Sequence, residues 1–154
     1  MPAVGYWHRG GRVPNDLYNP YGKISAADFK LPYPENTFDL ILAVSVFTHM
    51  QKNETENYFS QIPELLKTSG IFYASFFFLG DNQKSDFFPF DNGDFLLHNK
   101  NLPSANVAYR LEYIEKLAES NGLKISKIEE GWWKFGKKMK NYIDFQDIII
   151  FQKQ

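Results

Sequence analysis

The chain has 154 residues, no cysteine and a formal net charge of −1 at pH 7. That length suits one domain with a real core. The missing thiols exclude disulfides, thiolate nucleophiles and cysteine-based zinc sites, and the near-neutral balance gives no whole-chain attraction for nucleic acid or an anionic membrane.

Residues 1–37 are rich in Gly, Pro, Asn and Tyr, and VPNDLYNPYG holds turn formers nearly throughout. They are predicted to form a loop-rich N-terminal segment, distinct from residues 38–154. The opening MPAVGYWHRGG lacks the apolar core of a signal peptide. Phe38 to Val44 form a continuous apolar run, the pattern of a strand covered on both faces. In NETENYFSQIPELLKTSG, residues Tyr58, Phe59, Ile62, Leu65 and Leu66 share one helical face. Asn53 is the expected N-cap and Gly70 the expected helix stop, with Pro63 expected to kink the middle.

IFYASFFFL (71–79) reads as a second buried strand, in which Phe76, Phe77 and Phe78 are core. About thirty residues of predicted loop follow, a length usually tied to function or mobility. Tyr109 to Asn121 read as a helix with Leu111, Ile114, Leu117 and Ala118 buried and Gly122 ending it. LKISKIEEG and FQDIIIFQ read as strands, joined by the basic, aromatic WWKFGKKMKNY. Strands alternating with helices predict an α/β fold with a mostly parallel sheet, and the last strand, reached without a helix, is expected to be antiparallel. The most apolar runs are about ten residues, too short for a bilayer span, which predicts a soluble, cytoplasmic protein.

Four passages together resemble the C-terminal half of the class I S-adenosylmethionine-dependent methyltransferases: LPYPENTFDLILAVSVFTHM, IPELLKTSGIFYASFFF, VAYRLEYIEKLAESNGLKI and YIDFQDIIIFQK. They are similar to that family's fourth strand with its following loop, its fifth strand with the preceding helix, the helix before its sixth strand, and its antiparallel seventh strand. The resemblance implies a partial Rossmann-like sheet ordered fourth, fifth, seventh, sixth. It also implies S-adenosylmethionine as cofactor and methyl transfer to an acceptor nucleophile. The family holds its cofactor mainly with a glycine-rich loop after the first strand and an acidic residue after the second. Gly10 and Gly11 match neither spacing nor context. The expectation is therefore a truncated or split chain that binds the cofactor weakly or not at all. The fourth-strand equivalent would then be a sheet edge, which invites pairing with another chain. The rival expectation is a non-catalytic half-domain that only binds a partner.

Ligands of open α/β sheets bind beyond the carboxyl ends of the strands. By the resemblance, Ser45 and Val46 would touch the cofactor, and His49 would orient an acceptor or act as base. The plain alternative is that Thr48 and His49 only begin the next helix. Asp16 would contact the adenine amino group, or else simply begin a turn. Phe87, Phe88, Phe90 and Phe95 form either a lid over an acceptor or a satellite cluster. Lys134, Lys137, Lys138 and Lys140 with Trp132 and Trp133 read as a solvated hairpin rather than a nucleic-acid surface. His8, His49 and His98 show no metal-ligand spacing, and DNGD lacks the rest of a calcium loop.

Overall fold

A computed structural model describes Tyr21 and residues 23–154. In chain order the regular elements are β1 (Phe38–Ala43), α1 (Lys52–Leu65), β2 (Leu66–Phe76), β3 (Phe78–Leu79), β4 (Phe90–Asp91) and β5 (Phe95–Leu97). They continue with β6 (Val107–Arg110), α2 (Leu111–Ser120), β7 (Leu123–Glu129) and β8 (Asp147–Lys153). The principal sheet has the order β1-β2-β8-β7, and a smaller sheet has the order β3-β6-β5-β4.

The principal order matches the one expected, but the sheet is mixed rather than mostly parallel. Only β1–β2 is parallel, while β2–β8 and β7–β8 are antiparallel. The cause is placement. β8 returns from β7 without a helix and inserts beside β2, so one reversed strand makes both of its neighbouring pairs antiparallel. The small sheet adds one parallel pair, β3–β6, and two antiparallel pairs.

Alternation along β2 decides which side chains the helices cover. Phe72, Ala74 and Phe76 point to one face and are fully buried. There they meet Phe59 of α1 and Phe151 of β8, with Phe59 5.8 Å from Phe72 and 5.5 Å from Phe151, both edge-on. Phe72 stacks on Phe151 at 5.3 Å, and Phe47 stacks on Phe76 at 5.0 Å. Ring pairs of this geometry add roughly 0.5–1.5 kcal/mol each beyond their area. Ile114 and Ala118 of α2 complete the same core cluster. Both helices therefore lie on one face.

Several local expectations shift. α1 begins two residues earlier than predicted, at the N-cap Gln51, whose N–H donates to the Glu54 carboxylate at 2.8 Å. Pro63 sits near the end of α1, not its middle, and the helix stops at Leu65 rather than Gly70. Ser69 takes the left-handed conformation (φ 61°) that was expected of Gly70. Tyr109 and Arg110 belong to β6, so α2 starts at Leu111. The break at Phe77 divides the predicted second strand into β2 and β3.

The long stretch after β3 is not a plain loop. Its short strands build the second sheet, and Phe88 joins Phe77, Leu79, Leu96, Ala108 and Trp133 in a satellite cluster. Phe90 and Phe95 pack against the main core, and Phe87 is exposed. Arg110 locks the insertion. Its guanidinium donates to Gly80 O at 2.8 Å, Gln83 O at 2.7 Å and Asp91 Oδ2 at 2.5 Å. Lys52 Nζ reaches Asp94 Oδ2 at 2.6 Å from the start of α1.

Candidate functional site

β1 ends at Ala43, and the chain then turns sharply. Ser45 is left-handed at φ 55°, a conformation that costs a residue with a side chain about 1–2 kcal/mol. A hydrogen-bonded trio holds it there. The Ser45 N–H donates to Ser75 Oγ at 2.8 Å, and the Ser75 hydroxyl donates to Gln146 Oε1 at 2.6 Å. The Ser45 hydroxyl donates to the same oxygen at 3.1 Å. Ser75 is the penultimate residue of β2, and Gln146 directly precedes β8. Three adjacent strand ends thus pin one strained turn.

Val46 follows, half-buried against the main core. Phe47–His49 form a single 3-10 turn. His49 therefore neither opens nor belongs to α1. Phe47 anchors the turn in the ring cluster. Thr48 is fully buried, and its Oγ1 has no hydrogen-bond partner among the described residues. The imidazole of His49 is half-buried, with Nδ1 3.0 Å from the carbonyl oxygen of Ser104. A carbonyl only accepts, so Nδ1–H is the donor in this contact. Below it, the Tyr109 hydroxyl donates to Met50 O at 2.8 Å and lies 2.8 Å from Thr55 Oγ1. Burial pushes the Tyr109 phenol well above its ordinary pKa, so it stays a neutral strut.

The structure thus brings Ser45, Val46 and His49 into one turn at the carboxyl end of β1. Asp16 lies outside the described residues. Sequence reasoning missed Ser75, Gln146 and Ser104. Ser75 had only its place at the end of a strand to mark it, and Ser104 acts through its carbonyl, which no residue type reveals.

It also missed Asp147, the hub behind the site. This fully buried carboxylate accepts from Phe78 N at 2.9 Å, Gly131 N at 2.7 Å and Trp133 Nε1 at 2.7 Å. Burial holds its carboxyl above the ordinary range, against the pull of those donors and of Lys134. Gly131 is forced by space, since a Cβ there would stand 2.3 Å from Phe145 O. The expected basic, aromatic patch is divided by this packing. Trp133 is buried in the satellite cluster and Lys134 pairs with Glu130 at 3.3 Å, whereas Lys137, Lys138 and Lys140 stay exposed. Among the described residues no group of three His, Asp or Glu side chains is placed to hold a metal ion.

The architecture is an α/β fold with two mixed sheets and two helices. A family model described as a methyltransferase domain matches residues 12–74. Solved structures agree on the fold. A methyltransferase from Methanosarcina mazei matches at 16% identity and TM-score 0.54, over 89% of this chain and 71% of that one. The 1,6-didemethyltoxoflavin-N1-methyltransferase of Burkholderia thailandensis, solved with S-adenosylhomocysteine, matches at 13% and 0.54, over 84% of this chain and 48% of that one. A chain from the complex of the Haloferax volcanii Trm112 methyltransferase activator matches at 8% and 0.53, over 80% and 57%. The fold is that of the class I S-adenosylmethionine-dependent methyltransferases, and the resemblance read in the sequence is borne out. The chain spans about half to just over two-thirds of the length of these structures. No helix among the described residues is long and apolar enough to cross a membrane.

Proposed function

We propose that residues 38–154 are the C-terminal half of a class I methyltransferase domain, a partial Rossmann-like sheet preceded by the loop-rich segment 1–37. They form one wall of a site for methyl transfer from S-adenosylmethionine. The observation that carries this reading is the pinned, left-handed Ser45 at the carboxyl end of β1, four residues before His49. Strained turns persist where the surroundings over-determine them, and they concentrate at ligand sites.

Ser45 and Val46 would line the methionine side of the cofactor, and Asp16 its adenine. The turn fits this role, because it is exposed at Ser45, half-buried at Val46 and rigidly tied to β2 and β8. When bound, the cofactor supplies an electrophilic methyl group on its sulfonium. His49 Nε2 then takes the proton that an attacking hydroxyl or amine releases, while Ser104 O stabilises the imidazolium through Nδ1–H. Holding the acceptor in line contributes most of the rate in such a transfer. A second chain pairing along β1 would supply the opposite wall, and a cytoplasmic setting suits a chain with no cysteine.

Transfer of tritiated methyl groups to acceptors in a lysate tests this. His49→Gln should lower transfer by roughly 10²–10⁴-fold. Equal transfer by both forms would remove His49 from the mechanism. The non-catalytic reading is favoured by one observation, the uncovered edge and face at β1. It predicts no transfer by either form, even with a pairing chain present.

A further inference from the structure

A row of rings outside the main core links the parts of the candidate site. Trp132 lies 4.6 Å from Phe145, Phe145 5.7 Å from Phe77, Phe77 6.4 Å from Phe87, and Phe87 4.4 Å from His98. The first three pairs are steeply inclined, whereas Phe87 and His98 lie within 33° of parallel. Phe77 is sealed and backs Phe87 and Phe145, which are exposed at 42% and 37%. His98 is exposed, and its Nδ1–H donates to Phe87 O at 2.6 Å. Stacking and hydrogen bond together fix that end of the row.

The row is tied to the site twice. Phe145 directly precedes Gln146, whose Oε1 accepts from Ser45 and Ser75, and Phe77 lies two residues after Ser75. His98 and Ser104 share the connection between β5 and β6, and Ser104 O accepts from His49. The rings thus form a wall that joins the Ser45 turn to the loop holding its imidazole.

This wall selects its occupant. Sites for small organic ligands are lined by aromatic side chains with a few convergent polar groups. Rigidly held, exposed rings gain from a flat aromatic guest by offset or edge-on stacking, which an aliphatic guest of equal size cannot offer. Asp144 stands next to Phe145 and the net charge is −1, which disfavours a phosphate-bearing guest. A phenol or aromatic amine brings, on its own ring, a nucleophile that must shed a proton, and this suits an imidazole base.

We infer that the methyl acceptor is a small planar aromatic molecule, a phenol or aromatic amine, held against Phe87 and Phe145. Its oxygen or nitrogen forms the new bond to the methyl carbon. The carbon–sulfur bond breaks with its electron pair left on sulfur, and the released proton goes to His49. This rests on the reading of the Ser45–His49 turn as a methyl-transfer site, and names the acceptor class for it.

Ligand-observed NMR titration of the whole chain, without cofactor, tests it with 2-naphthol and with the saturated, non-planar decahydro-2-naphthol. The expected result is a Kd on the order of 1 mM or tighter for 2-naphthol, with clearly weaker binding of the saturated alcohol. Phe87→Leu and Phe145→Leu should each weaken 2-naphthol binding by roughly 3–10-fold. Leucine keeps apolar bulk at these exposed positions, and circular dichroism of each variant should match the wild type. Phe135→Leu should leave binding unchanged, because that ring is as exposed (46%) but packs on Tyr142 outside the row. No binding, equal binding of the two alcohols, or an equal loss from Phe135→Leu would overturn the inference. The transfer assay in a lysate separates it from the reading beneath it. Labelled products confined to aliphatic acceptors would overturn the aromatic acceptor alone. No labelled product, with 2-naphthol still bound, would overturn the methyl-transfer reading and with it the acceptor role.

Discussion

The two faces of the β1-β2-β8-β7 sheet carry similar side chains in different surroundings. On one, Phe72, Phe76 and Phe151 are sealed by Phe47, Phe59 and α2. On the other, Leu40, Leu42 and Ile71 face outward. Alternation in β1 and β2 is apolar on both sides, which is the signature of a strand built to be covered twice. Local sequence thus specifies two layers of cover, and the described residues provide one. The strained turn at Ser45 stands where the covered and uncovered halves meet.

The largest contrast is expected in the sealed core. Phe59→Ala should cost about 3–5 kcal/mol in urea unfolding, by lost transfer energy plus a cavity. If Ile71→Ala cost as much, the comparison of the two faces would fail.

Asp147 sharpens it at the rim. Its folded pKa lies above the ordinary 3.8, so the protonated form is favoured on folding. That contribution is full below the unfolded pKa and is lost as pH rises through the folded one. The urea midpoint of the wild type should therefore fall relative to Asp147→Asn as pH rises above about 4. A difference moving the other way would show the three N–H donors outweighing burial.

Ser75→Ala should cost about 1–2 kcal/mol, because it strands the Ser45 N–H and removes one donor to Gln146. Ser45→Gly should recover part of that loss by relieving the left-handed strain. Thr48→Val should raise stability by about 1 kcal/mol, replacing an unpaired buried hydroxyl with a methyl group. Unchanged or lowered stability would mean that the hydroxyl has a partner in solution. Smallest of all, Leu42→Ser should shift the midpoint of the isolated chain by under about 0.5 kcal/mol, whereas any partner-bound form should lose affinity.

Much of this was legible in the residues. The strand at Phe38 and both amphipathic helices follow from periodicity and turn chemistry, whereas the strand order and the open edge come only from the family resemblance. The parallel character was over-read, because insertion of β8 beside β2 is a long-range choice with no local signal. The second sheet was hidden because β3, β4 and β5 are two or three residues long, too short for a period to show. Ser45 and His49 were visible from their place after a strand. The parts that hold them were not. Gln146 and Ser104 sit 101 and 55 residues away, and Asp147 looked like an ordinary charge between apolar neighbours.

The most direct test of the account is calorimetric titration of the isolated chain with S-adenosylhomocysteine. One wall without its opposite should give no measurable heat at micromolar concentrations. Micromolar affinity in a single-site isotherm would contradict the account, because it would mean that this chain alone closes the site.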